Sequence, residues 1–304
     1  MPRPAWEIFS KLPYKLVNYW IKDKPVFTLN TSRGCPFNCT FCSVNKIWGR
    51  TYRVMSAKRI FEDVMYLIKQ YGAKGIYFRE DNFTLNKRRV IEFCNLLSEN
   101  KVKISWICET RVDSLQDLEY VSLMAKSGCK AFYIGVESGS PRMLEVMNKQ
   151  ISIKQILQAF ENAHKAKVKT YASLIYGVPY EKEEDLQLTN DLLKKIKPDF
   201  IGKNIFVGIP GSELYDYVKE NKLYEFEDKN GLLYLKDHNK RVDIYYHGNP
   251  YAKIPGTVTP YEFIIFDLKR VLRQLLVKLW SRLNITKSSI IQNKIFKRLN
   301  KLIS

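Results

Sequence analysis

The chain has 304 residues, 45% of them hydrophobic and 13% aromatic, enough to bury a sizeable core in one domain of about 200 residues with an extension. No apolar run reaches the ~18 residues of a membrane span, and the start MPRPAWEIF lacks the apolar centre of a signal peptide, so a cytoplasmic protein is expected. The net charge of +19 would suit nucleic acid or an anionic membrane, but the chain is rich in Lys, Ile, Asn and Tyr together, as compositional drift would make it, so charge alone selects no partner.

Residues 1–25 are rich in proline and aromatic side chains (Pro2, Pro4, Trp6, Pro13, Tyr14, Trp20) and read as a lead-in. A short extended run, Val26 to Asn30, leads into a loop, Arg33-Gly34-Cys35-Pro36-Phe37-Asn38-Cys39-Thr40-Phe41-Cys42-Ser43. Its three cysteines are spaced C-x3-C-x2-C. Three thiolates at that density point to a metal. With no fourth cysteine or histidine close behind, they suit a cluster with one open iron better than a zinc knuckle or a four-cysteine ferredoxin. Cys94, Cys108 and Cys129 are scattered through apolar segments and read as core residues, not as a disulfide framework.

After the loop, Ser56 is placed to cap an amphipathic helix over 57–71, ended by Gly72. Strand and helix then alternate: strand 75–79, helix 87–99, strand 104–109, helix 115–127, strand 131–136, helix 152–166 opening with a Ser-x-x-Gln capping box, strand 169–176, helix 183–195, strand 199–207 and helix 212–222. The strands are apolar runs, as a parallel sheet covered by helices requires. Six such units fit a partial (β/α)6 barrel, although a doubly wound open sheet would show the same alternation. The chain is thus divided into a lead-in 1–25, a barrel 26–222 and a mainly helical extension 223–304. In the extension, Thr259-Pro260-Tyr261-Glu262 opens a helix with Ile264, Leu268, Leu272, Leu275 and Leu279 on one face and Lys269, Arg270, Arg273 and Lys278 mainly off it. That helix either docks on the barrel or lies on an anionic membrane surface.

The cysteine loop, with Phe41 directly before its third cysteine, resembles the signature of the radical S-adenosylmethionine (SAM) enzymes. The match extends over about residues 20–222 and is closest to the catalytic half of those members that carry an N-terminal cobalamin-binding domain, among them methyltransferases and anaerobic cyclases of tetrapyrrole synthesis. The resemblance favours the barrel over the open sheet. It implies that Cys35, Cys39 and Cys42 hold a 4Fe-4S cluster whose open iron takes the amino and carboxylate groups of SAM, and that an external donor of flavodoxin or ferredoxin type supplies the electron that cleaves SAM to a 5′-deoxyadenosyl radical. Function in a parallel barrel gathers at the strand ends. There the resemblance assigns Glu80 and Asp81 to the SAM ammonium, unless they are plain turn acids, and Gly177 to the loop of strand five; Glu137 and Ser138 offer the acceptors that ribose hydroxyls need, and Phe206 and Val207 either flank the adenine or form an ordinary strand-to-helix turn. Arg111 either meets the SAM carboxylate or pairs with Glu109 or another acid at the mouth. Tyr180 stands where related sequences often have glycine. The Asp-x-His-x-x-Gly signature of a cobalamin domain is absent around His164, His238 and His247, so cobalamin is not carried over; a shortened relative, a fragment, or a chain borrowing that domain would each look like this. The substrate class expected is a small or lipid-like metabolite, with nucleic acid disfavoured by the lack of an appended nucleic-acid domain. The alternative is a non-catalytic iron-sulfur subunit.

Overall fold

The computed structural model describes residues 3–9 and 20–236, and six strands form one parallel sheet within it. They are β1 (Val26–Leu29), β2 (Gly75–Phe78), β3 (Ser105–Arg111), β4 (Cys129–Glu137), β5 (Lys169–Tyr176) and β6 (Phe200–Ile205). Their order in space is their order in the chain, and every neighbouring pair is parallel. A doubly wound sheet reverses its order at a switch point; this sheet never reverses. Parallel crossovers are right-handed as a rule, and in this unreversed order they put the connecting helices on one face and leave the other as the concave interior of a six-strand partial barrel.

Besides a single helical turn at Trp6–Phe9, the helices are α1 (Val44–Trp48), α2 (Ala57–Tyr71), α3 (Lys87–Glu99), α4 (Leu118–Lys126), α5 (Pro141–Val146), α6 (Ile153–Lys165), α7 (Glu183–Ile196) and α8 (Glu213–Glu220). Their ends follow the capping chemistry of the sequence. Ser56 accepts a hydrogen bond from the Arg59 N–H and opens α2, Gly72 closes it in a left-handed turn, and Ser152 and Gln155 cap α6 reciprocally. The helix expected over 115–127 is instead a 3-10 turn, Val112–Leu115, followed by α4, because the Asp117 carboxylate accepts from the N–H groups of Glu119 and Tyr120 and restarts the helix there. α1, α5 and two small antiparallel ladders (Ser32–Arg33 with Arg53–Val54, and Tyr224–Glu227 with Leu233–Leu235) have too few residues to show a period.

The core lies between the helices and the convex face of the sheet. At one end Phe78, Phe83, Phe93 and Trp106 are wholly buried and meet ring to ring, Phe78 and Phe83 stacking with centroids 4.2 Å apart. Cys94, Cys108 and Cys129 are buried there as free thiols. A second cluster joins Met143, Met147, Val178, Phe206, Leu214 and Val218 to Leu233 and Leu235, so the first residues beyond 222 form a hairpin that packs on the barrel. The helix expected from 259 lies outside the described residues. No helix among them is long and apolar enough to cross a membrane.

Candidate active site

The cysteine loop leaves the C-terminal end of β1 and is fixed at its start by a buried carboxylate. Glu80, just past β2, accepts hydrogen bonds from the Thr31 N–H (3.1 Å), the Thr31 hydroxyl (2.7 Å) and the Ser32 hydroxyl, and lies 3.6 Å from the Arg89 guanidinium. Arg89 in turn donates to the carbonyls of Thr31 and Phe83. Two residues on, Gly34 has φ +88, and a Cβ there would stand 2.3 Å from the Thr51 carbonyl oxygen, so only glycine lets the chain turn into the loop. The middle of the loop is held from two sides. The Thr40 N–H donates to Met147 (3.1 Å), its hydroxyl to Val146 (3.0 Å) and the Asn148 amide to Asn38 (2.8 Å), while the Leu214 N–H at the start of α8 donates to Thr40 (2.9 Å).

Cys35, Cys39 and Cys42 are half-buried and free. Burial pushes the Cys35 and Cys42 thiols up from their ordinary value, the neighbouring thiols and Asp81 push the same way, and the N–H groups of Phe37 and Val44 oppose them. Such thiols carry protons until a metal displaces them. No three His, Cys, Asp or Glu side chains among the described residues converge on one point where a single ion would sit. A 4Fe-4S cluster needs no such convergence, because each iron takes one thiolate, and three free thiols on one braced loop fit its donor set with one iron left open.

Arg111, at the end of β3, reaches this loop. Its guanidinium lies 3.6 Å from the centre of the Phe37 ring and 3.7 Å from Cys39 Sγ, donates to the Lys149 carbonyl (2.7 Å) and pairs with Asp113 (3.2 Å). The acid it meets is therefore Asp113. Glu109 instead accepts from the Tyr77 hydroxyl (2.7 Å) on the concave face, and burial raises its pKa. Asp81 is exposed and has no hydrogen-bond or ion-pair partner among the described residues; desolvation by the surrounding loop raises its pKa.

Strand β4 ends in a strained residue. Glu137 has φ +65, a left-handed conformation that costs a non-glycine residue about 1 kcal/mol or more. Its buried carboxylate pairs with Lys149 Nζ at 2.7 Å, and Nζ sits 5.8 Å from the centre of the Phe41 ring. The pair occupies the space beside Gly135, where a Cβ would fall 2.7 Å from the Glu137 carboxylate and 2.9 Å from Nζ. Across the mouth, the Gly177 N–H donates to Glu181 (2.6 Å), Val207 is half-buried, and Phe206 is buried with its N–H on the Tyr176 carbonyl. Tyr180 has φ +74, so the loop keeps the backbone shape that a glycine would adopt.

Cys35, Cys39, Cys42, Phe41, Asp81, Arg111 and Glu137 are thus brought together at one end of the sheet. Two expected contacts are corrected. The Glu80 carboxylate is occupied by Thr31, Ser32 and Arg89 behind the loop, which leaves it a framework role. Ser138 is 1% exposed, shares a hydrogen bond with the Thr189 hydroxyl on α7 and accepts from the Ser140 N–H, so it faces the helix and not the mouth. Sequence reasoning missed Lys149. A buried Glu137 demands a counter-ion, which signals that a cation exists without saying which one; Lys149 carries no periodic mark in Met147-Asn148-Lys149-Gln150.

Comparison with known proteins places the fold in a family. Over 226 residues the chain is 34% identical to an uncharacterized methyltransferase of Pyrococcus horikoshii, covering 72% of this chain and 49% of that protein. It is 30% identical over 213 residues to an anaerobic magnesium-protoporphyrin IX monomethyl ester cyclase of Rubrivivax gelatinosus, covering 70% of this chain and 38% of that one. The chain therefore spans half or less of the length of these relatives. Among solved structures, the cobalamin-dependent SAM radical enzyme OxsB, with aqua-cobalamin and SAM bound, superposes with a TM-score of 0.62 at 19% identity, covering 90% of this chain and 50% of that one. At that identity the likeness shows the fold alone. Residues 29–193, over half of the chain, match the Radical SAM superfamily, and the chain belongs to that family of cluster- and SAM-dependent enzymes.

Proposed function

We propose that this chain is the catalytic part of a radical SAM enzyme that methylates, cyclises or rearranges a small or lipid-like metabolite. The observation that carries the reading is the braced three-cysteine loop at the C-terminal edge of a parallel barrel, faced by Asp81, Arg111 and the Glu137–Lys149 pair. When bound, the cluster and SAM supply reductive cleavage of the bond between the SAM sulfur and C5′, using an electron from an external donor of flavodoxin or ferredoxin type.

The chain's own residues supply position and charge. Cys35, Cys39 and Cys42 ligate the cluster. Arg111, 3.7 Å from Cys39 Sγ, ties that cysteine to β3. Asp81, with an unengaged carboxylate, takes the SAM ammonium. Glu137 accepts from ribose hydroxyls, held in its strained conformation by Lys149. The Gly177 loop and Val207 border the adenine. Alignment of the reacting atoms is the main catalytic contribution of such a site. Cobalamin, named for OxsB, is assigned to no residue here.

Equilibrium binding of SAM to anaerobically reconstituted protein tests these roles. Asp81→Asn and Glu137→Ala should each weaken binding about tenfold or more, the scale of one lost charge-assisted hydrogen bond, with iron content unchanged. Unaltered affinity in both variants would remove the two carboxylates from the site.

A further inference from the structure

The outer surface of the cysteine loop carries a charge arrangement that the fold does not neutralise. Between Asp23 and Glu62 the sequence has no acidic residue. Arg33, Lys46, Arg50 and Arg53 stand exposed in that stretch, and none of them is within ion-pair distance of a carboxylate among the described residues. Arg33 and Arg53 are direct partners in the short antiparallel ladder. Like charges placed opposite each other in this way cost stability.

These cations surround an exposed apolar centre. Ile47 is 63% exposed and Trp48 37% exposed, both on α1, which begins two residues after Cys42. The Arg33 guanidinium lies 4.7 Å from the centre of the Trp48 ring, Arg53 donates to the Trp48 carbonyl (2.7 Å), and Arg50 donates to the Pro36 carbonyl (3.4 Å), next to Cys35. An aromatic and aliphatic centre ringed by arginine is the composition of a protein interface. A surface for a simple polyanion has no use for Ile47. The chain's own residues 237–304 are a poor occupant, since they are rich in Lys and Arg and hold only Asp237, Asp243, Glu262 and Asp267 as acids.

We propose that this face docks a small acidic one-electron carrier protein, flavodoxin or ferredoxin in type, against the loop that holds the cluster. The role rests on the reading of Cys35, Cys39 and Cys42 as cluster ligands. In the transfer, the reduced flavin or iron-sulfur centre of the carrier gives up one electron, and the cluster gains it; no covalent bond forms or breaks in that step. Opposite charge on the two surfaces steers encounter and fixes orientation, and the Ile47–Trp48 centre excludes water at the contact.

The test measures binding of a purified flavodoxin and an acidic ferredoxin to the full reconstituted chain, comparing wild type with a Lys46→Glu/Arg50→Glu double variant and an Ile47→Asp variant. Wild type should bind at least one carrier at low salt and bind it more weakly at high salt. Both variants should lose about tenfold or more in affinity, while their iron content and their formation of 5′-deoxyadenosine with dithionite stay at wild-type level. Equal affinity in wild type and both variants, or no binding of either carrier at low salt, would overturn the proposal. So would variants that lose binding to tRNA or anionic vesicles while carrier binding is untouched. A wild type that assembles no cluster would overturn the cluster reading and with it the electron-delivery role, and the carrier affinities, read without turnover, would still report on the surface.

Discussion

Replacing Glu80 by alanine separates a framework role from a ligand role. Glu80 is 4% exposed, as is Arg89 beside it, and its carboxylate serves the Thr31 N–H and the hydroxyls of Thr31 and Ser32. Its removal strands a buried guanidinium and leaves three donors without their acceptor. A charged hydrogen bond is worth about 1.5–3 kcal/mol and breaking a buried ion pair about 3–5 kcal/mol. These effects overlap within one network and do not add, so the expected loss is about 3–5 kcal/mol. Anaerobic urea denaturation of the apoprotein reads it as a fall in the transition midpoint at unchanged slope. Glu80→Gln keeps the shape and one acceptor and should lose less. A loss below about 1 kcal/mol in Glu80→Ala, accompanied by weakened SAM binding, would refute the framework assignment and return Glu80 to the SAM ammonium.

Three other outcomes follow from the geometry. Cys39→Ala should abolish the broad absorbance near ~400 nm of a reconstituted cluster, and full retention of iron and colour would remove Cys39 from the ligand set. Glu109→Gln should be more stable than wild type at neutral pH and no different well below pH 4.5, the ordinary glutamate value. The sign follows from proton binding: burial raises the folded-state pKa, so the folded chain binds the extra proton above 4.5, and stability falls as pH rises through that window; identical stability against pH in the two proteins would contradict it. Tyr180→Gly should be at least as stable as wild type, because glycine adopts φ +74 without strain. A loss of more than about 1 kcal/mol would show that the ring contact of Tyr180 with Tyr217, centroids 5.0 Å apart, outweighs the backbone strain.

The sheet was legible because its signals are local. Ser56, Gly72, and Ser152 with Gln155 mark helix ends by chemistry that acts over three or four residues, and the apolar runs from Val26 to Ile205 mark covered strands. Barrel and open sheet differ only in which strands are neighbours, which no local pattern carries; pairing of β1 through β6 in chain order decides it. The cysteines were readable because spacing within one loop fixes their proximity. Side-chain direction was not. Glu80 and Asp81 are adjacent in sequence, yet one turns inward to Arg89 and the other outward to the mouth. Lys149 was invisible for a similar reason, since its partner lies twelve residues away across the turn that α5 makes.

The central claim is that Cys35, Cys39 and Cys42 hold a cluster that cleaves SAM. The most direct measurement incubates the reconstituted protein anaerobically with SAM and dithionite and quantifies 5′-deoxyadenosine by mass spectrometry, with the triple cysteine-to-alanine variant as control. The account predicts 5′-deoxyadenosine from the wild type and none above background from the variant. A wild type that carries a cluster and binds SAM yet forms no more 5′-deoxyadenosine than the variant would contradict it.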